Sequence, residues 1–345
     1  MRFWIDALTP KQLIFFRTLS RTLQDEGHEV LITSRGYHDA EYVIRRLNMD
    51  VVTVGKHGGS SKRSKLEASL TRSLELTKLI TEKSVERTIS FGSPEAARVS
   101  FGLGIPHYNV NDSPHSVWVA RLTIPLSVKL MTPWVIPPSA WRRFGMAGGS
   151  IITYRALDPA SWLKRREDWP TPTSFEEGAE GAILFRPEES QASYLEKATQ
   201  SLLLVRMISE AFPDSRVIVL PRYSEQEGEF GRLEAPNVTV CREPFFGPNL
   251  LARCRALVGG GGTMNAEASL MGVPTLSFFP GKTTYVEDYL VKRGLIRRVR
   301  GEGECVRTLR EVLSPETSNQ IRELAREELA SMEDPNDVIR REIVG

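Results

Sequence analysis

The chain has 345 residues, of which 41% are hydrophobic and 26% charged, and a formal net charge of +2 at pH 7. This composition is that of a globular protein, the length favours two domains, and the small net charge argues against a nucleic-acid partner. No apolar run is long enough to span a bilayer, and the amino terminus does not resemble a signal peptide. The three widely separated cysteines fit neither a disulfide framework nor a zinc site. We therefore expect a cytoplasmic protein with no cofactor and no metal.

The amino-terminal half alternates predicted strands with predicted helices. The strands are predicted at 3–5, 29–33, 51–54, 88–91 and 108–110. The helices are predicted at 12–23, 41–47, 65–81, 94–101 and 118–125. This order predicts a parallel, doubly wound sheet.

A cluster of proline, threonine and glycine at 169–178 predicts a connection to a second domain. Beyond it the alternation resumes, with strands predicted at 182–185, 216–220, 238–241, 256–258 and 275–278. The helices are predicted at 194–212, 249–254 and 264–271, and a further helix is predicted to begin after Ser314. The second half is therefore predicted to contain a second parallel sheet.

Four consecutive glycines follow the strand predicted at 256–258 and precede a predicted helix. Glycine lets the backbone approach a ligand because no Cβ intervenes, and the amides at the start of a helix suit a phosphate. A carboxylate one turn into that helix can accept hydrogen bonds from ribose hydroxyls. A plain tight turn is the alternative interpretation. The residues predicted to bind a nucleotide here are Gly260, Gly261, Gly262, Thr263 and Glu267.

The order Gly-Gly-Thr, Glu-Ala and Leu-Met-Gly-Val-Pro over residues 261–274 resembles a nucleotide-sugar motif. It is similar to the motif of GT-B glycosyltransferases, among them the MurG-type transferases, and of UDP-N-acetylglucosamine 2-epimerases. Ile5-Asp6, Thr9-Pro10 and Gly27-His28-Glu29-Val30 also resemble a largely archaeal family of uncharacterised GT-B proteins. The resemblance implies that Glu267 binds the ribose and that the glycine turn binds the diphosphate of a nucleotide sugar.

The fold class that the resemblance implies is α/β, with two Rossmann-like, doubly wound parallel-sheet domains that face a cleft in the GT-B arrangement. Residues 1–165 are predicted to form the acceptor-side domain, and residues 166–334 the nucleotide-sugar-binding domain. Residues 335–345 are predicted to form a helix that returns to the amino-terminal domain.

Two arginines and two aromatic residues extend the predicted donor site. Arg186 and Arg222 follow predicted strands, where ligands of open α/β sheets bind, and a guanidinium suits a diphosphate. A surface arginine at a strand end is the alternative. Phe245 and Phe246 lie in a segment that resembles the Glu-Pro-Leu segment of the epimerases, which implies packing on a uracil base. A hydrophobic staple onto the next helix is the alternative.

The candidate catalytic bases are Asp112, His115 and Asp6. Asp6 ends the first predicted strand, and the other two lie on a loop after the strand predicted at 108–110. Inverting sugar transfer needs a base for the acceptor proton and donors that hold the leaving diphosphate. A helix-capping role for Asp112 is the alternative. The chain has no Asp-x-Asp pair, so a metal-held donor phosphate is not indicated.

Two of the three acids that the epimerases use in their amino-terminal domain have no counterpart here. We therefore predict an inverting, metal-independent glycosyltransferase with a UDP-sugar donor and an unknown acceptor, either lipid-linked or a glycan. Epimerase activity and a non-catalytic sugar-nucleotide-binding protein are the alternatives. Aromatic and cationic residues at 134–144 leave a peripheral position at the membrane open.

Overall fold

The computed structural model describes residues 1–59, 61–188 and 199–345. The chain divides into two compact units. Unit 1 comprises residues 1–168 and 332–345, and unit 2 comprises residues 169–331. The boundaries predicted from the sequence, after residues 165 and 334, each lie three residues from these divisions.

Unit 1 contains a seven-stranded parallel sheet in the order β3-β2-β1-β4-β5-β6-β7. Its strands are β1 (Arg2–Asp6), β2 (Glu29–Gly36), β3 (Val52–Lys56), β4 (Arg87–Ser90), β5 (His107–Val110), β6 (Lys129–Pro133) and β7 (Ile151–Tyr154). Its helices are α1 (Pro10–Asp25), α2 (His38–Arg46), α3 (Lys62–Glu82), α4 (Pro94–Leu103), α5 (Val117–Thr123), α6 (Ser139–Arg142) and α7 (Ala160–Leu163), with α16 (Pro335–Val344) from the end of the chain. The strand order reverses between β1 and β4, which places a topological switch point there.

Strand β1 is buried on both faces because helices cover both sides of a parallel sheet. Trp4 is fully buried, and its indole N–H donates to Thr33 Oγ1 on β2 over 2.7 Å. Helix α1 begins directly after this strand, where the Thr9 side chain accepts a hydrogen bond from the Gln12 amide and a proline occupies the first turn. The first βα turn is therefore fixed at the carboxyl edge of the sheet.

Unit 2 contains a six-stranded parallel sheet in the order β10-β9-β8-β11-β12-β13. Its strands are β8 (Ile183–Arg186), β9 (Val217–Val219), β10 (Val238–Val240), β11 (Ala256–Gly259), β12 (Thr275–Ser277) and β13 (Ile296–Arg298). Its helices are α8 (Ser174–Glu177), α9 (Thr199–Ala211), α10 (Ser224–Phe230), α11 (Gly247–Leu251), α12 (Thr263–Leu270), α13 (Tyr285–Lys292), α14 (Glu302–Val312) and α15 (Pro315–Ser331). The first residues of the helix predicted at 194–212 lie outside the described residues.

The unit 2 sheet is also buried on both faces. Ile183 and Phe185 pack into one apolar cluster, whereas Leu184 between them packs into another on the opposite face. β8 and β11 are neighbours in register, so Arg186 lies beside Gly259 where the two strands end. The order of the strands reverses between β8 and β11, as it does between β1 and β4 in unit 1.

These two parallel sheets with their helices confirm the predicted α/β class. No helix in the described part of the chain is long and apolar enough to cross a membrane. The aromatic segment at 134–144 contributes Ile136, Trp141 and Phe144 to a buried cluster of unit 1. Those three side chains are therefore part of a core and do not form a membrane-binding face.

Candidate functional site

The glycine loop links β11 to α12 at the carboxyl edge of the unit 2 sheet. Gly261 and Gly262 have φ angles of +90° and +97°, a region that side chains with a Cβ rarely adopt. A Cβ at Gly260 would lie 2.5 Å from the backbone nitrogen of Glu188. Glycine is therefore required at Gly261 and Gly262 by the backbone conformation, and at Gly260 because a Cβ would collide with the backbone of Glu188.

The amino terminus of α12 has no side-chain cap among the described residues. Gly262 occupies the N-cap position, is exposed, and has no side chain that could accept a hydrogen bond from the first turn. Thr263, the first helical residue, is half-buried. An anion at this helix end would accept hydrogen bonds from amides that a cap would otherwise satisfy.

The two predicted arginines hold the loops around this helix end. Arg222 donates from Nε to the Pro187 carbonyl over 2.9 Å and from Nη2 to the Gly261 carbonyl over 3.2 Å. Arg186 donates from Nη1 to the carbonyls of Leu220 and Pro221, both over 2.8 Å. The structure thus brings both arginines to the carboxyl edge of the sheet, where they fix backbone carbonyls and add positive charge.

Glu267 lies on α12 and is 7% exposed. A Cβ at Gly247, the first residue of α11, would lie 3.7 Å from Glu267 Oε2, so the carboxylate faces the start of that helix. Phe245 is half-buried, with the Arg186 guanidinium 5.8 Å from its ring centroid. The segment at 245–247 and the carboxylate of Glu267 therefore lie next to each other.

Phe246 is placed differently from the expectation that it packs on a base. It is 1% exposed, and its ring packs edge-on against Trp169 at 6.3 Å. Its backbone amide donates to the buried Glu176 carboxylate over 2.7 Å, which fixes the segment in the interior of unit 2. Phe246 therefore anchors the segment, whereas Phe245 retains an accessible face.

Glu176 is a positioning residue that the sequence analysis missed. Its carboxylate accepts hydrogen bonds from the amides of Phe246 and Thr173 and from the side chain of Asn249. Thr173 and Glu176 form a capping box at the start of α8, so the Thr-x-x-Glu pattern was the signal that could have found it.

Asp6 is fully buried in unit 1 and forms a two-pronged ion pair with Arg72 on α3. The Arg72 guanidinium donates to Oδ1 over 2.5 Å and to Oδ2 over 3.1 Å. The hydroxyls of Thr33 and Ser93 also donate to this carboxylate, each over 2.6 Å. This geometry favours a structural role for Asp6 over the catalytic role predicted for it.

Asp112 belongs to a second ionic cluster, which is partly buried. Lys11 Nζ lies 2.5 Å from Asp112 Oδ2 and 2.8 Å from Asp158 Oδ2, so one ammonium bridges two carboxylates. The Tyr154 hydroxyl donates to Asp158 Oδ1 over 2.6 Å, and the Ser113 hydroxyl donates to Asp112 Oδ1 over 2.7 Å. A role for Asp112 was predicted from the sequence, but Lys11, Asp158 and Tyr154 were not, because they are distant from Asp112 in the sequence.

The charges in this cluster shift the acidities of its members. Burial would raise the pKa of Asp112, but the Lys11 ammonium and the hydrogen bonds that Asp112 accepts lower it to about 2. Burial raises the pKa of Asp158 to about 6, which Lys11 only partly opposes and the charge of Asp112 reinforces. His115 is exposed, yet desolvation of its ring lowers its pKa against the attraction of Asp112.

Solved structures with the same fold come from two kinds of enzyme. The chain is similar to the UDP-GlcNAc 2-epimerase of Neisseria meningitidis bound to UDP-GlcNAc, with a TM-score of 0.77, 15% identity and full coverage of both chains. It is also similar to the spinosyn rhamnosyltransferase SpnG, with a TM-score of 0.65, 15% identity and 99% coverage of both chains. These similarities confirm the predicted GT-B fold.

Similarity in sequence places the chain in a family. An uncharacterised protein of Methanocaldococcus jannaschii, MJ0665, is 27% identical over 297 residues, which cover 84% of this chain and 85% of that protein. The model of the family described as protein of unknown function (DUF354) matches residues 1–344. The resemblance to uncharacterised archaeal GT-B proteins is therefore confirmed, and the chain belongs to the DUF354 family.

Proposed function

We propose that the protein is a glycosyltransferase that binds a nucleotide-sugar donor, a UDP-sugar, through unit 2. The observation that carries this proposal is the exposed, uncapped amino terminus of α12, which follows a loop whose φ angles require glycine. A diphosphate at this helix end would accept hydrogen bonds from the backbone amides and gain from the helix dipole. Arg186 and Arg222 add positive charge at the same edge of the sheet.

The remainder of the donor is assigned from the side chains near this helix end. Glu267, one turn into α12, would accept hydrogen bonds from the ribose hydroxyls, and the accessible face of Phe245 would pack on the base. The similar solved structures support a nucleotide sugar, since one is an epimerase bound to UDP-GlcNAc and another a rhamnosyltransferase. No metal is required, because amides and guanidinium groups can hold the leaving diphosphate.

Transfer is favoured over epimerisation by the acids of unit 1. Epimerisation at a sugar carbon needs a base and an acid positioned at that carbon. The carboxylate of Asp6 is ion-paired with Arg72, and the carboxylate of nearby Glu95 accepts a hydrogen bond from the Ser69 hydroxyl, so neither is well suited to that role. Inverting transfer needs one base for the acceptor hydroxyl, and we assign that role to Asp112, with His115 beside it in the sequence as the second candidate. The acceptor is a hydroxyl compound, lipid-linked or a glycan.

Isothermal titration calorimetry with UDP, uridine and inorganic phosphate tests donor binding. We expect UDP to bind more tightly than either fragment and Glu267→Gln to weaken UDP binding about 10- to 100-fold, the effect of losing a charged hydrogen bond of about 1.5–3 kcal/mol. Glu316→Gln, an exposed residue of α15, is the matched control and should leave the affinity unchanged. Absence of heat with UDP, or equal affinity for Glu267→Gln and wild type, would contradict the proposal.

Product analysis by NMR separates the reactions. Incubation with UDP-N-acetylglucosamine is expected to give slow hydrolysis to UDP and unchanged N-acetylglucosamine, with water in place of the acceptor. Accumulation of N-acetylmannosamine would instead establish the epimerase alternative. UDP binding without any turnover of a panel of UDP-sugars and hydroxyl acceptors would favour a sugar-nucleotide-binding protein.

A further inference from the structure

The cluster of Lys11, Asp112, Asp158 and Tyr154 lies at the carboxyl edge of the unit 1 sheet. Lys11 is on the first turn of α1, which follows β1, and its ammonium lies 4.3 Å from the ring centroid of Phe91, which follows β4. The cluster thus adjoins the switch point between β1 and β4, the position at which open α/β sheets bind ligands.

The four side chains of the cluster differ in their exposure to solvent. The side chains of Lys11 and Asp112 are 18% and 21% exposed, whereas Asp158 is 2% exposed and Tyr154 is fully buried. Asp112 therefore presents the solvent-accessible end of the cluster and Asp158 its interior end. Within the described residues Asp158 Oδ2 accepts no hydrogen bond, although it is ion-paired with Lys11.

We propose that Asp112 and Asp158, bridged by Lys11, act together as one proton acceptor for the hydroxyl group that attacks the sugar. This inference rests on the proposed transferase function and adds Asp158, Lys11 and Tyr154 to its machinery. Asp112 contacts the hydroxyl, and Asp158 is the interior half of the pair. Lys11 and Tyr154 are positioning residues.

Asp112 alone is poorly suited to general-base catalysis. A carboxylate with a pKa of about 2 attracts a proton weakly at neutral pH, and efficient general bases have a pKa near the working pH. Two interacting carboxylates instead take up protons in steps that belong to the pair, and the step at about 6 is better matched to neutral pH. Lys11 Nζ, which lies 2.5 Å from Asp112 Oδ2 and 2.8 Å from Asp158 Oδ2, links the two carboxylates.

The titratable groups around the pair come from several elements. Lys11 approaches from α1, Tyr154 from β7, and His115 from the loop after β5. Burial opposes the charge of Lys11, but the two carboxylates raise its pKa above the ordinary value, so it stays protonated. Burial and Asp158 raise the pKa of Tyr154, so its hydroxyl keeps its proton. The carboxylate pair is therefore the group that gains a proton in this cluster.

The proposed step transfers a proton to the carboxylate pair and the sugar to the acceptor. The O–H bond of the acceptor breaks and its proton goes to Asp112, while the acceptor oxygen forms a bond to the anomeric carbon of the sugar. The bond from that carbon to the diphosphate oxygen breaks, and UDP leaves with the electron pair. The pair then holds one proton, shared between Asp112 and Asp158, and releases it to solvent after the product departs.

Infrared difference spectroscopy on the full, ligand-free chain tests the pair directly. We expect a protonated-carboxyl band that titrates near pH 6 in the wild type and is lost in both Asp158→Asn and Asp112→Asn. Asp25→Asn, an exposed residue at the far end of α1, is the matched control and should retain the band. A band near pH 6 that persists in Asp112→Asn would show that Asp158 titrates alone and would overturn the pair.

The pH profile of donor turnover provides the functional readout. The acidic limb of kcat is expected near pH 6 in the wild type and below pH 4 in Asp158→Asn, with kcat at pH 7 lowered about 100-fold or more, since general-base catalysis contributes about 10²- to 10⁴-fold. UDP affinity should be unchanged in the variant. An acidic limb that is unchanged in Asp158→Asn would overturn the inference. Failure of the wild type to bind UDP would refute the proposed function, and the infrared titration would then still decide whether the two carboxylates titrate as a pair. If Asp158→Asn unfolds, Lys11→Gln is expected to move the infrared titration upwards, because the bridging positive charge is lost.

Discussion

Replacement of Asp6 by alanine is expected to destabilise unit 1 without affecting UDP binding. Asp6 and Arg72 are 0% and 2% exposed, and each is the other's ion-pair partner in the interior. Removal of one partner from a buried pair costs about 3–5 kcal/mol, because the remaining charge loses its counter-ion. Glu95 Oε2 lies 4.0 Å from Arg72 Nη1 and would offset only part of this loss, since that distance is too long for a hydrogen bond. In a domain of about 150–250 residues each kcal/mol lowers Tm by about 2–4 °C, so the expected loss is about 6–20 °C.

Differential scanning calorimetry at pH 7 measures this loss, with Asp168→Ala as the matched control. Asp168 also forms ion pairs, at 2.9 Å with Arg21 and at 3.6 Å with Arg17, but its side chain is 36% exposed, so its replacement should cost less than about 1 kcal/mol. The double variant of Asp6 and Arg72 should lose less stability than the sum of the single variants, since neither charge remains. A stable Asp6→Ala protein that has lost only turnover would refute this reasoning and restore Asp6 as a catalytic candidate.

Three further outcomes are expected. Gly260→Ala should weaken UDP binding or cost about 1–3 kcal/mol of stability, because its Cβ would collide with the backbone of Glu188. Gly303→Ala, whose Cβ would meet open space, is the control in calorimetry and should change neither quantity in this way. Burial lowers the pKa of His107 to about 3, so the stability that its neutral ring contributes is complete above about pH 6.5 and is lost as the pH falls towards 3. His107→Gln should therefore flatten the dependence of the free energy of unfolding on pH in this range, as measured by urea denaturation. The same pH dependence in the variant and the wild type would contradict the assignment. Cys241 and Cys305 are buried, and burial raises the pKa of their thiols to about 11 and about 12, so these two should react with a thiol reagent at pH 8 only after urea unfolds the chain. Rapid modification of either residue in the folded protein, located by mass spectrometry, would argue against this burial.

The fold was predictable from sequence where strands are buried on both faces. Such strands are short apolar runs bounded by glycine, proline or charged residues, as at 183–185 and 256–258, and they are easily recognised. β6, β7 and β13 were missed. β13 is an edge strand with two arginines, and β6 ends in proline, so neither has the continuous apolar pattern of an interior strand.

The candidate donor site was easier to predict from the sequence than the proposed base cluster. The glycine run, Thr263 and Glu267 are contiguous, so their spacing alone predicts a loop and a helix end. Lys11 and Asp158 meet only because the sheet brings the helix after β1 and the loop after β7 to one edge, and no local pattern encodes that contact. Arg72 likewise resembles a solvated helical residue, although it reaches into the core to neutralise Asp6.

The two candidate sites suit ligand groups of opposite character. In unit 2 the bare end of α12 and the guanidinium groups of Arg186 and Arg222 favour an anion. In unit 1 two carboxylates share a single ammonium, so the cluster has a net charge of −1 when both are ionised, and it would repel a diphosphate. A negative cluster is suited to drawing a proton from a neutral hydroxyl and stabilises the positive character that the attacking oxygen gains. The distribution of charge is therefore consistent with the proposal that unit 2 binds the donor diphosphate and unit 1 the acceptor hydroxyl, and under that proposal it favours an acceptor that is uncharged at its reacting end.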